Sequence, residues 1–261
     1  MQAALFSYTY RYAQSTAKGI SQSVNQDEVI CCPEFGFFAV SDGIGGLYGG
    51  GATSKLIAER FPRMLEEAYL NAGETLSPIR AAKILHNLVL RLSDSVFEEF
   101  NRHRALTYGA TLCGVWLVDK YAVFINLGDS RGYLLERYQH RIRQMTKDHN
   151  IAAILIDEGE LSKEEARRHP ASSALTRFVG ITPTLPDTFI AEIGSGDVLL
   201  LCTDGLHGVV DDERFPKLLR SGKNVPMVLD RLHDEAMRAG GLDDISALYI
   251  KIDRLAARKE V

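Results

Sequence analysis

The residues of this chain best suited to chemistry are aspartates placed where apolar runs begin or end. Asp42 closes FFAVSD, Asp129 closes FINLGD and Asp204 closes LLLCTD, each with a glycine close by. Asp27 leads into a strand in VNQDEVI, and Asp243 does the same in GLDDISAL. An aspartate at the end of an apolar strand sits at the rim of a sheet, where the backbone leaves the core. A neighbouring glycine lacks the Cβ that would block a ligand or a carbonyl from reaching an ion. Several converging carboxylates repel one another and raise one another's pKa values unless cations lie between them. Mg²⁺ and Mn²⁺ suit such a site, since both take hard oxygen ligands and keep several waters. Two such ions a few ångströms apart lower the pKa of a bridging water and align it with a phosphoryl group, so no protein nucleophile is needed. Taken singly, each Asp-Gly pair reads more simply as a turn. Five strand-edge aspartates in one chain weaken that reading and favour a divalent-metal hydrolase.

The composition narrows the class. The chain has 261 residues, 46% hydrophobic and 25% charged, as expected of a soluble globular protein. A net charge of −4 offers no basic field for nucleic acid. The start, MQAALFSYTYRYAQ, lacks the basic head and long apolar core of a signal peptide, and no apolar run is long enough to span a membrane. Cys31, Cys32, Cys113 and Cys202 show no CxxC spacing and lie in apolar strand-like stretches. They read as buried reduced thiols of a cytoplasmic protein rather than a zinc site. Without repeats or a Pro/Gly/Ser linker, residues 1–261 are expected to form a single domain.

The elements that must position the aspartates follow from periodicity. Strands are predicted at 28–32 and 35–42, then a glycine-rich turn at 43–51. Two amphipathic helices follow. One carries Ala52, Leu56, Phe61, Leu65 and Ala68, with Pro62 as a candidate kink; the other carries Ala81, Leu85, Leu88, Leu92, Val96 and Phe100. Segments 110–119, 121–130, 131–137 and 141–146 read as strands joined in hairpins. Residues 149–183 read as two short helices and a Pro- and Ser-bearing loop, the best candidate for a mobile flap. Strands at 187–194 and 197–205, helices at 211–222 and 226–240, and a strand at 243–253 complete the chain. Strands in blocks with paired helices between them imply an α+β fold. The arrangement expected is a four-layer α/β/β/α sandwich, two mainly antiparallel sheets flanked by helix pairs.

Eight motifs, in this order, carry a family resemblance: NQD at 25–27, SDGIGG at 41–46, GAT at 109–111, NLGDSRGYLL at 126–135, TKDHN at 146–150, LTRFVG at 175–180, LLCTDGL at 200–206 and GLDDIS at 241–246. The chain resembles the PPM/PP2C phosphatases in their compact bacterial form, from about Gly19 to Ile252. The resemblance implies an α/β/β/α sandwich that hydrolyses phosphoserine and phosphothreonine in proteins with a metal-activated water. It implies two tightly bound Mn²⁺ or Mg²⁺ ions and a third, weaker one. Asp42 would bridge two ions, the Gly43 carbonyl would bind one of them, and Asp204 and Asp243 would bind the other. Asp27 would bind directly or through a water, and Asp129 would help hold the third ion. The catalytic set is thus Asp42, Asp204 and Asp243, acting through the water. The stretch 149–183 matches the family's flap beside the substrate cleft. Thr111 and Ser130 look structural; His149 and His207 look like supporting or surface residues; Arg131 and Arg177 look like loop braces. The partner implied is a phosphorylated protein, with a serine/threonine kinase opposing the reaction, and neither nucleic acid nor membrane.

Four positions depart from the family pattern. Gln22 stands where an arginine usually grips the substrate phosphate, and a glutamine has no charged fork. Gln26 replaces a common acid, and Asp244 replaces a common Asn. Ile44 stands where animal members place a His, a mild departure because bacterial members are commonly apolar there. Arg11, in the strand-like SYTYRY, is the candidate substitute cation for Gln22, though a solvated strand residue is its simpler reading. Gln22 also leaves an alternative open: a pseudophosphatase that binds a phosphoprotein or partner without turnover.

Overall fold

The computed structural model describes residues 8–72, 76–102, 108–139, 141–221 and 224–255. Both ends of the expected domain, 1–7 and 256–261, lie outside the described residues. The chain runs β1 (Tyr8–Ala17), β2 (Glu28–Cys32), β3 (Phe37–Ser41), β4 (Gly43–Ile44), α1 (Gly46–Leu70), α2 (Pro78–Val96), β5 (Gly109–Ala110), β6 (Leu112–Val118) and β7 (Tyr121–Leu127). It continues through β8 (Arg131–Leu135), β9 (Arg143–Gln144), α3 (Ile151–Asp157), α4 (Lys163–Arg168), β10 (Asp187–Glu192), β11 (Val198–Cys202), α5 (Asp204–His207), α6 (Phe215–Arg220), α7 (Val225–Arg238) and β12 (Ile245–Leu255).

Two five-stranded sheets form, one in the order β1-β12-β11-β8-β9 and the other β10-β7-β6-β3-β2. Strand pairs within them are antiparallel. Successive side chains on a strand face opposite ways, and here both faces are covered. On β3, Phe37 and Ala39 face α1 and α2, joining Ile57, Phe61, Leu65, Leu85 and Leu92. Phe38 and Val40 point the other way, into the space between the sheets, where they join Leu199, Leu201, Leu248 and Ile250. The outer face of the β1-β12-β11-β8-β9 sheet places Leu200, Cys202, Ala247 and Tyr249 with Phe215, Leu229 and Leu232 of α6 and α7. Burial on both faces explains why these strands read as continuous apolar runs rather than alternating ones. The expected four-layer sandwich is what forms.

Some details differ from the sequence reading. Helix α1 begins at Gly46, inside the expected glycine-rich turn, and runs through Pro62. Those glycines serve close packing: a Cβ on Gly50 would lie 2.3 Å from Gln26 Oε1. The second helix ends at Val96, and Phe97–Asn101 continues it as a π-helical turn. Strands β7 and β8 do not form a hairpin; β7 pairs with β6 and β10, whereas β8 pairs with β11 and β9 in the other sheet. The three residues between them, Gly128, Asp129 and Ser130, therefore cross from one sheet to the other. Gly128 has φ +120°, open to glycine but strained for other residues.

Candidate metal centre

Strand register gathers the aspartates at one rim. In β2–β3, Glu28 lies opposite Ser41, so Asp27 and Asp42 leave adjacent strands side by side. In the β1-β12-β11-β8-β9 sheet, Cys202 lies opposite both Ala247 and Arg131. Asp204, Asp243 and Asp129 therefore emerge at a common edge. The Asp204 turn and the Asp243–Asp244 loop then close tightly, since a Cβ on Gly205 would lie 2.0 Å from the Asp244 carbonyl oxygen. The backbone of Gly43 is similarly close to the start of α1, where a Cβ would lie 2.3 Å from the Gly50 carbonyl carbon.

Hydroxyl groups hold this rim in place. Thr111 Oγ1 accepts the Asp42 backbone N–H at 2.9 Å and lies 2.6 Å from Ser130 Oγ, tying the Asp42 turn to the Asp129 turn. Thr111 and Ser130 are thus the structural hydroxyls expected. Thr203 Oγ1 donates to Asp27 Oδ2 at 2.8 Å and accepts the Ser246 N–H at 3.0 Å, linking Asp27, just before β2 of one sheet, to β12 of the other. Sequence reasoning missed this link; a hydroxyl residue directly before the Asp-Gly pair was the available signal.

The electrostatics are those of a site built for cations. Burial, Asp204, Asp27, Asp129 and Asp243 together push the Asp42 carboxyl well above the usual carboxylate range. Burial and Asp204 do the same to Asp129, against relief from Arg131 and a hydrogen bond from Asn150. Asp27 is pushed to about 8, chiefly by burial, and Asp204 to about 6 by burial and Asp243. Asp27 Oδ1 and Asp204 Oδ1 are buried without a hydrogen-bond partner. Unpartnered carboxylate oxygens inside a mutually repelling group fit divalent cations with oxygen preference. Among the described residues, no three His, Cys, Asp or Glu side chains are drawn into a closed ligand shell.

The remaining candidates sort themselves by position. Gln22 Nε2 donates to Asp243 Oδ1 at 2.8 Å, so Gln22 is at the site and steadies an expected ligand. Arg11 is not there. Its guanidinium grips Asp253 at 2.6 and 2.7 Å, more than half exposed. It lies six residues before Ala17 on β1, about 20 Å from the carboxylate end at the rise of an extended strand. The cation near Gln22 is instead Lys18, whose ammonium donates to the carbonyls of Gln22 at 2.5 Å and Gly19 at 3.3 Å. Asp244 is a backbone clamp: Oδ1 accepts the Gly19 N–H at 2.8 Å and Oδ2 the Gln26 N–H at 2.7 Å. A carboxylate offers both oxygens for this work, whereas the Asn usual in the family offers one.

Arg131 and Arg177 are braces, as expected. Arg131 forks onto Asp148 at 2.7–3.1 Å, and Arg177 binds Asp187 and the Leu185 carbonyl. Both histidines are buried. His149 Nδ1 accepts the Gly128 N–H at 3.1 Å, so its proton lies on Nε2, 3.0 Å from Asp187. His207 Nε2 donates to the Asp129 carbonyl at 3.0 Å. Burial lowers both pKa values, keeping the rings neutral supports of the Asp129 turn. The cysteines are free, and Cys31 is half-buried rather than buried; burial pushes its thiol to about 11.

The segment 149–183 attaches to the rim at several points. The His149 N–H reaches the Gly128 carbonyl at 3.0 Å, and Val179 bridges Ala110 of β5. Between them, Arg167 of α4 donates to the carbonyls of His207 and Val210 and pairs with Asp211, all on the turn that follows Asp204. Among the described residues, no helix is long and apolar enough to cross a membrane.

With this geometry in place, the comparisons with known proteins converge. The family pattern of protein phosphatase 2C matches residues 16–238. The serine/threonine phosphatase stp of Listeria monocytogenes is 31% identical over 216 residues, which cover 82% of this chain and 83% of that protein. The serine/threonine protein phosphatase PstP of Mycobacterium tuberculosis is 28% identical over 245 residues, covering 93% of this chain and 45% of the relative. A crystal structure of the PstP catalytic domain in complex with two manganese ions superimposes with a TM-score of 0.78 at 27% identity, covering 94% of this chain and 98% of that one. The eight motifs, the sandwich and the buried carboxylates at its rim have one common explanation: this chain belongs to the protein phosphatase 2C family.

Proposed function

We propose that this protein hydrolyses phosphoserine and phosphothreonine esters of proteins with Mn²⁺ or Mg²⁺. The observation that carries the reading is the pair of buried, unpartnered oxygens on Asp27 and Asp204 within a cluster of mutually repelling carboxylates. Asp42, Asp204 and Asp243 are the principal ion-holding set, with Asp27 and the Gly43 carbonyl completing it. Asp129, on the sheet-to-sheet crossover, is assigned to a third, weaker ion. Bound cations of this kind neutralise phosphoryl oxygens and activate a water for in-line attack. The chain's own contribution is to orient and to exclude. Thr203 and Thr111 fix the backbone turns that aim the carboxylates, and Gln22 holds Asp243. Lys18, whose ammonium binds the Gln22 carbonyl, is the cation we assign to the phosphoryl group where the family's arginine is missing. The flap, 149–183, borders the substrate cleft of a single domain. A serine/threonine kinase is the expected opposing activity, in the cytoplasm.

The non-hydrolysing alternative rested on Gln22 alone and is not favoured, because every expected carboxylate is present and the relatives are named as phosphatases. The test is phosphate release from a phosphothreonine peptide. Activity is expected with Mn²⁺, lost with a chelator, restored by Mn²⁺ and indifferent to thiol alkylation. Activity that survives exhaustive chelation would overturn the proposal.

A further inference from the structure

One cleft opens beside the carboxylate cluster and shares Asp204 and Asp243 with it. It has a volume of about 150 Å³ and is lined by Asp204, Gly205, Val209, the Ala239–Gly241 backbone, Leu242 and Asp243. Asp204 and Asp243 form its inner wall. Its outer wall is apolar and open to solvent, with Leu242 65% exposed and Val209 39% exposed. The floor is nearly bare of side chains, with glycines at 240 and 241, the first with open space where a Cβ would stand. Leu242 is held at this edge by backbone bonds between the Gly19–Gln22 loop and the 241–242 loop: Ile20 N–H to the Gly241 carbonyl at 2.8 Å and Ser21 N–H to the Leu242 carbonyl at 3.3 Å. An aliphatic side chain exposed to this extent gains nothing in the free protein, and burying it against a second apolar side chain is favourable.

We propose that this cleft is a substrate subsite for one aliphatic side chain of the phosphorylated segment, two residues from the phosphorylated residue. The inference rests on the proposed phosphatase reading, because that reading places the phosphoryl group at Asp204 and Asp243. In an extended peptide, side chains alternate in direction, and those two residues apart point the same way, about 6.6 Å apart along the chain. A phosphothreonine side chain directed at the carboxylates therefore sends its immediate neighbours away from the rim. The side chain two positions on enters the adjoining cleft, between Leu242 and Val209. A leucine fits this volume and this lining. A glutamate there would lose its hydration against Leu242 and Val209 and is disfavoured for that reason.

The experiment measures kcat/KM with Mn²⁺ on phosphothreonine peptides that differ at one position. Leucine, alanine or glutamate is placed one or two residues before or after the phosphothreonine, and p-nitrophenyl phosphate serves as a substrate with no peptide. Leucine two residues away, on one side, is expected to exceed alanine by about ten-fold, equivalent to about 1.4 kcal/mol. Glutamate at the same position is expected to fall below alanine. Leu242→Ser and Val209→Ser are each expected to bring the leucine-to-alanine ratio toward one; both positions are exposed enough for the fold to tolerate the change. Turnover of every peptide with a ratio near one at all positions would overturn the subsite and leave the phosphatase reading standing. A preference that survives both variants would place the discrimination elsewhere and overturn it too. Absence of turnover on all peptides and on p-nitrophenyl phosphate would overturn the phosphatase reading, and the subsite with it.

Discussion

At the scale of single residues, the carboxylates are not equivalent. Asp204 feels Asp243 most strongly after burial and leaves one oxygen without a partner. Asp204→Asn is expected to cut turnover about a thousand-fold or more, since metal activation of water is worth several kcal/mol and each tenfold in rate is about 1.4 kcal/mol. The metal-free variant is expected to melt no lower than the unaltered protein, because the substitution removes one charge from a repelling set. Near-normal turnover would show that the ions are held elsewhere. Gln22 poses a different question. Gln22→Arg adds a charged donor where the amide now meets Asp243, and hydrogen bonds to charged groups contribute roughly 1.5–3 kcal/mol. The Michaelis constant for a phosphopeptide is expected to fall about ten-fold. If it does not move, and Lys18→Ala raises it instead, the phosphate charge already comes from Lys18.

At the scale of elements, Arg167 is the pin between α4 and the turn after Asp204. Its side chain is about one quarter exposed, so Arg167→Ala is expected to cost only about 1 kcal/mol of global stability. The larger effect should be local: faster hydrogen exchange across Lys163–Arg168, with the sheets still protected. Uniform loss of protection would mean that α4 is no independent unit. This level also separates what the sequence reveals from what it conceals. Asp27, Asp42, Asp129, Asp204 and Asp243 were legible because each sits in a local pattern, an apolar run ending or beginning at an acid. The sandwich was legible from blocks of strands and paired amphipathic helices. The path from β7 to β8 was not: two adjacent apolar runs look like a hairpin whether they pair with each other or part into separate sheets. The clamp by Asp244 and the Thr203 link were hidden for the same reason, since their partners lie far away in the sequence. Arg11 failed as a site residue because only the β1–β12 register, which puts it opposite Lys251, shows which end of the strand it occupies.

At the scale of the whole molecule, the buried cluster sets how stability depends on pH. The folded-state pKa values of Asp204 and Asp27, about 6 and about 8, lie above the ordinary aspartate value of about 3.9. The stability contributed by their neutral forms is complete below about pH 4 and is lost as pH rises through those values. Chelated protein is therefore expected to melt at progressively lower temperature between pH 5 and about pH 9. Mn²⁺ binds the ionised carboxylates, so the gain in melting temperature on adding it is expected to grow over the same range. Scanning calorimetry with and without chelator checks both slopes. A chelated protein that becomes steadily more stable from pH 5 to about pH 9 would contradict the placement of these carboxylates in a cation-seeking cluster.

The antiparallel union of β1 and β12 has a mechanical consequence. Tyr8 faces Leu255 at one end of the ladder and Ala17 faces Ile245 at the other, near the carboxylates. A force that separates Tyr8 from Leu255 would load the ladder one rung at a time, as in peeling tape, because the hydrogen bonds lie along the pull and in series. Resistance to such a pull is low, and the peel travels about 30 Å before it reaches the rim. A tether attached at both strand ends would thus act as a release cord. Steady tension would strip β1 from the sheet and disturb the carboxylates last, so activity should persist through the early part of the extension.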